Sequence, residues 1–129
     1  MTKEQAIESV SSKHKIALIT PAQNEEDSIG VMLNSLPKEI FTQIIVVDNN
    51  STDNTAKIAK YLGAKVVFEK QEGYGKACLS GISALDKKIE IVVFMDADNA
   101  DDPKDISKLI SPIINNEHDF VLGLSLIHI

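Results

Sequence analysis

The stretch VVFMDADNADDP, residues 92–103, sets Asp96, Asp98, Asp101 and Asp102 within seven positions at the end of an apolar run, with Asp105 close behind. Like charges at this spacing repel, and solvent, lysines, helix N-terminal amides or a bound cation must offset the repulsion. Asp96 and Asp98 are i and i+2, so at an extended strand end both carboxylates leave the same face, with the small Ala97 between them. That pair suits a hard divalent ion, Mg²⁺ or Mn²⁺, which takes one or two carboxylates and completes its shell with water and diphosphate oxygens. The alternative is an acidic entrance to a helix starting near Pro103. Capping is assigned to Asp101 or Asp102, and metal or ribose contact to Asp96 and Asp98. A bare DxD recurs by chance, so alone it leaves both readings open.

Three other polar stretches follow apolar runs. In DNNSTDNT, Asp48 ends a run and can accept from a base N–H or a ribose hydroxyl, whereas Ser51, Thr52 or Asp53 is more simply the N-cap of a helix over 55–62. In PAQNEED, Pro21 ends the first run, and Glu25 or Glu26 opens a helix, with Glu26 and Asp27 read as its acidic entrance. In EGYGKA, two glycines flank Tyr74 with Lys76 beyond, so backbone can approach a phosphate while the ammonium offsets its charge. The spacing departs from GxxxxGK[ST], which disfavours a P-loop NTPase. His14, His118 and His128 lack metal-ligand spacing, and the single Cys78 excludes an internal disulfide and reads as a small buried helix residue.

The elements that must position these residues are five β-rich runs, 15–20, 43–48, 64–69, 90–96 and 119–127, alternating with helical spacing over 28–36, 55–63, 75–85 and 104–114. This predicts one layered α/β domain over 1–129 with a mainly parallel sheet, in which ligands bind outside the carboxyl ends of the strands. Asp27, Ser28 or Asp53 is expected to cap a following helix, and Gly63 to end one. Four polar stretches converging on one sheet edge favour a site over four unrelated loops. Thirteen Lys plus Arg against nineteen Asp plus Glu give a formal charge of −6 without a basic cluster, which argues against nucleic acid as a partner. The N-terminus has no signal-peptide core and no stretch approaches the roughly 18 apolar residues of a spanning helix. The chain therefore reads as cytoplasmic, with peripheral contact at the inner face of a membrane left to flanking segments.

Taken in order, TPAQNEEDSIG, IIVVDNNSTDNTAKIA, EGYGKACLSGI and VVFMDADNADDP resemble the family 2 glycosyltransferases, especially the dolichyl-phosphate and polyprenyl-phosphate hexosyltransferase branch, over most of residues 16–123. The resemblance implies the Rossmann-like GT-A fold, incomplete at its C-terminus, with a nucleotide sugar and a divalent metal at the strand ends. By position, Pro21, Gln23 and Glu25 match the segment lining the base, and Asp48 and Asn50 match residues near base and ribose. Asp96, Ala97 and Asp98 match the DxD motif that holds metal, ribose and diphosphate, and Lys76 lies where it can approach the donor. Gln23 stands where many relatives carry an aromatic residue, and Asn49 and Asn50 replace a commoner acidic and glycine pair.

The implied reaction is inverting transfer of a hexosyl group to polyprenyl phosphate or a cell-envelope glycan. Relatives continue past FVLG with acceptor-side residues, so residues 1 to about 123 are expected to form the donor-binding half of a longer enzyme, with self-association through an uncovered edge. A nucleotidyltransferase is disfavoured because PAQNEED is acidic and lacks glycine. A phosphatase is weaker still, since Ala100 stands where its pattern wants Thr or Val. A nucleotide-sugar-binding fragment without catalysis is the non-enzymatic alternative.

Overall fold

The computed structural model describes residues 14–98 and the backbone of residues 125–128. In chain order the elements are β1 (Ile16–Ala22), α1 (Ile29–Ser35), a single 3-10 turn (Lys38–Ile40), β2 (Gln43–Asp48), α2 (Thr55–Tyr61), β3 (Lys65–Phe68), α3 (Tyr74–Ser83), β4 (Ile91–Phe94) and β5 (Ser125–His128). The sheet order is β3-β2-β1-β4-β5. β1 pairs in parallel with both β2 and β4, β2 pairs in parallel with β3, and β5 runs antiparallel to β4. The strand order turns back between β1 and β4, which creates the switch point where open α/β sheets bind ligands.

The apolar runs are nearly continuous because both sheet faces are covered. On one face Ile16, Leu18, Val46, Ile91, Val93 and Met95 pack with Ile29, Met32 and Leu33 of α1 and Ala59 of α2. On the other, Ala17, Ile19, Ile45, Val47, Val92 and Phe94 pack with Ala77 of α3. Each large aliphatic side chain removed from water contributes about 1.5–3 kcal/mol. α3 lies close to the sheet at Gly81, where a Cβ would stand 2.6 Å from Ile19 Cγ2 and 3.1 Å from Val47 Cγ2.

Several boundaries differ from the sequence reading: α1 starts at Ile29, not at Glu25 or Glu26, and has no acidic residue in its first turn. Pro21 does not end β1, which continues to Ala22 opposite Asp48. Ile19 O accepts from Met95 N, so odd positions of β1 face β4, and the ladder with β4 has ended at Phe94 before Pro21 is reached. The missing N–H of Pro21 therefore falls where no ladder bond is required. Ser28 stands at the N-cap of α1 but makes no side-chain cap bond, because its hydroxyl is engaged elsewhere. Gly63 does end α2, with φ 93°, a conformation that costs glycine little. The expected helix over 104–114 and the caps Asp101 and Asp102 lie outside the described residues, as does most of the run 119–127. Among the described residues no helix is long and apolar enough to cross a membrane.

Two substitutions test this packing. Gly81→Ala should lower stability by about 1–3 kcal/mol through overpacking, even after the gain in helix propensity, and denaturant unfolding reads it. Thr20 is fully buried and its Oγ1 has no hydrogen-bond partner among the described residues. Thr20→Val should therefore stabilise by about 1 kcal/mol, seen as a raised Tm.

Candidate functional site

The strand-end loops are cross-linked, mostly by side chains of one accepting backbone N–H groups of another. Between the loops after β1 and β2, Asn24 N donates to Ser51 Oγ, Glu25 N to Thr55 Oγ1 and Glu26 N to Asp53 Oδ2. In return, Thr52 N donates to Asn24 Oδ1 and Asn54 N to Glu26 Oε2. Asn24 and Asn50 hold φ of 52° and 63°, which asparagine tolerates better than most residues. Asp53 Oδ1 also accepts from Thr55 N and from the Thr55 hydroxyl. These bonds, the hydroxyl first, hold its carboxyl below the usual aspartate range. The sequence reading expected Asp53 to cap α2; the N-cap position is instead held by Asn54, without a side-chain cap bond, and Asp53, one residue earlier, ties Thr55 N to the first loop.

The third loop is clamped by Asn49, which is 5% exposed. Its Nδ2 donates to Glu69 O and Gln71 O, and its Oδ1 accepts from Gly73 N at 3.0 Å. Glu69 accepts from Ser80 Oγ and Gln71 N, and with the Lys76 charge nearby its carboxyl lies below the usual range, the Ser80 bond being the main cause. Gln23 Nε2 donates to Glu72 Oε1 at 2.8 Å, joining the first loop to the third. Ser28 Oγ lies 2.6 Å from Ala97 O and 2.9 Å from Glu25 Oε2, joining the first loop to the segment after β4.

At this edge Pro21, Ala22, Gln23, Asn49, Gly73 and Tyr74 line a cavity of about 170 Å³. Tyr74 also borders Cys78 and Asp96. Partial burial, then the neighbouring Cys78 and Asp96, push the phenol up to about 12. Burial likewise raises the Cys78 thiol, as does Asp96, while the Tyr74 hydrogen bond opposes them. One side chain therefore spans from the cavity to the first aspartate of the DxD. Ala97 is 3% exposed, whereas Asp96 and Asp98 on either side are exposed, the alternation expected at a strand end.

The residues singled out from sequence fall into three groups. Pro21 and Gln23 line the cavity; Asp96, Ala97 and Asp98 follow β4 on the same sheet edge. Glu25 is half-buried against Ser28, and Asp48 is 8% exposed with Oδ1 accepting from Ser51 N, so one of its oxygens already shapes the turn. Asn50 and Lys76 are exposed and outside the cavity lining, with Lys76 beside Glu69 instead. Sequence reasoning gave Asn49, Glu72 and Ser28 no site role, and treated Tyr74 only as a residue between glycines. No spacing rule announces them, because their partners are backbone atoms or side chains of other loops.

Among the described residues no cluster of three His, Cys, Asp or Glu side chains could hold a metal by itself. Asp96 and Asp98, both exposed after β4, are two carboxylates of the kind a hard cation takes together with oxygens of water and a diphosphate.

The family model described as glycosyl transferase family 2 matches residues 17–128. The UDP-N-acetylglucosamine–dolichyl-phosphate N-acetylglucosaminyltransferase of Methanococcus voltae is 37% identical over 127 residues, covering 84% of this chain and 51% of that protein. Protein RfbJ of Shigella flexneri is 36% identical over 109 residues, covering 84% of this chain and 83% of RfbJ. Glucosyl-3-phosphoglycerate synthase from Mycobacterium tuberculosis, solved with uridine diphosphate, superposes with a TM-score of 0.78 at 27% identity, covering 93% of this chain and 47% of that one. The same enzyme has been solved with Mn²⁺, uridine diphosphate and glucosyl-3-phosphoglycerate. The chain spans about half the length of the Methanococcus enzyme and of the synthase. With the model match running from β1 into β5, this chain belongs to glycosyl transferase family 2.

Proposed function

We propose that this chain is the donor-binding portion of an inverting, metal-dependent glycosyltransferase that takes a hexosyl group from a nucleoside diphosphate sugar. The observation that carries the reading is Tyr74, which lines the strand-end cavity and borders Asp96, so that a base in the cavity and a diphosphate at the aspartates belong to one ligand. In this assignment Pro21 and Gln23 border the base, Asp48 and Asn50 lie on the ribose side, and Glu25 supports the first loop. Asp96 and Asp98 face the diphosphate with the buried Ala97 spacing them, the two carboxylates serve as metal ligands, and Lys76 approaches the donor from the start of α3. The uridine diphosphate and Mn²⁺ bound in the related synthase support a uridine donor and a divalent ion, Mg²⁺ or Mn²⁺, here.

In the reaction, the bond from the anomeric carbon to the diphosphate oxygen breaks while an acceptor oxygen forms the new bond on the opposite face. A divalent ion would supply charge neutralisation for the departing diphosphate. The protein's own part is to hold the nucleoside between rigid, cross-linked loops and to direct the two carboxylates at the ion. The dolichyl-phosphate acceptor of the Methanococcus relative and the phosphoglycerate product of the synthase support a phosphate-bearing acceptor, polyprenyl phosphate among them. A polyprenyl phosphate would attack through an oxygen of its own phosphate, which is already ionised at neutral pH and needs no side-chain base.

Calorimetric titration tests this. Mn²⁺ should tighten UDP binding to the chain, and Asp98→Asn and Asp96→Asn should each remove about tenfold or more of that gain, about 1.4 kcal/mol, while leaving the fold intact. UDP affinity indifferent to Mn²⁺ in the unsubstituted chain would overturn the assignment.

A further inference from the structure

Most polar groups lining the cavity are already engaged. Asn49 has donated both amide protons and accepted the Gly73 N–H, Ala22 O accepts from Asn49 N, and the Tyr74 hydroxyl is turned to Cys78 and Asp96. Gln23 is different. Its Nε2 donates to Glu72 Oε1, and because an ionised carboxylate only accepts, that partner fixes which end of the amide is nitrogen. Among the described residues no donor reaches Gln23 Oε1. The contact joins residues 49 positions apart, so two separate loops set the orientation.

We infer that Glu72 holds the Gln23 amide so that Gln23 Oε1 accepts from the ring N–H of a uracil base in the cavity. Gln23 is then the base-specificity determinant and Glu72 its positioning residue. The inference deepens the nucleotide-sugar reading above and rests on it. Uracil offers an N3–H to this acceptor, whereas cytosine presents an unprotonated N3 at the same place, setting one lone pair against another. Guanine carries a ring N–H but also a second ring. The cavity, about 170 Å³, is small beside the roughly 300–1,000 Å³ of ordinary ligand pockets and favours a single ring.

The test is competition among UDP, CDP and GDP for the 129-residue chain in the presence of Mn²⁺, with thermal melting to verify that each variant folds. The unsubstituted chain should prefer UDP over CDP by about tenfold, the scale of one hydrogen bond made or left unmade. Gln23→Leu and Glu72→Leu should each bring that ratio below about threefold, chiefly by weakening UDP, while Glu72→Gln should keep it because its amide oxygen still accepts from Gln23 Nε2. A ratio unchanged in Gln23→Leu or in Glu72→Leu overturns the inference, as does GDP binding as tightly as UDP. Equal UDP and CDP affinity in the unsubstituted chain overturns it while leaving the nucleotide site standing. No diphosphate binding at all defeats the site reading itself, and this inference with it.

Discussion

Carboxylates that accept from backbone N–H groups of another loop are the interaction on which this sheet edge depends. A chain with net charge −6 gathers acidic residues after four strands, and left alone they would push the loops apart. Instead Asp53 accepts from Glu26 N, and Glu26 accepts from Asn54 N, while Asp48 and Glu69 tie down their own turns. Much of the charge is thereby converted into attachment, since each such bond to an ionised acceptor is stronger than one between neutral groups. Asp96 and Asp98 extend the pattern to the segment after β4, where the companion proposed above is a cation.

Neutral amides complete the frame. Asn49 is buried, and both of its protons and its oxygen reach the third loop, so the loop that supplies Gly73 and Tyr74 is placed by a residue of the second. Removing that amide would break three bonds at once between the second and third loops. The switch between β1 and β4 decides where the crevice opens; Asn49 and Ser28 decide how the loops around it are spaced.

The sheet was legible because its signals are local. The runs at 43–48 and 90–96 are apolar without a break between their polar end residues, as strands covered on both faces must be, and β2 and β4 fall inside them. Gly63 ended its helix as expected for a left-handed residue. Pro21 misled because whether a strand tolerates proline depends on where the neighbouring ladder stops, which a single segment does not encode. Ser28 misled for a related reason: a serine ahead of a helix looks like a cap, yet its hydroxyl lies closest to Ala97 O, 69 positions away. The DxD and the glycine loop were visible as motifs, while Glu72 and Asn49 acquire meaning only through partners brought near by the fold.

The close approach of α3 at Gly81 reaches beyond packing. That helix begins at Tyr74, at the cavity wall, so how deeply its far half sinks onto Ile19 and Val47 sets the tilt at which its first turn meets the cavity. A hydrogen atom in place of a methyl, on the side of the sheet away from α1 and α2, thus works as a shim under a lever: the bulk tolerated there bears on the depth of the cavity at the other end of the helix.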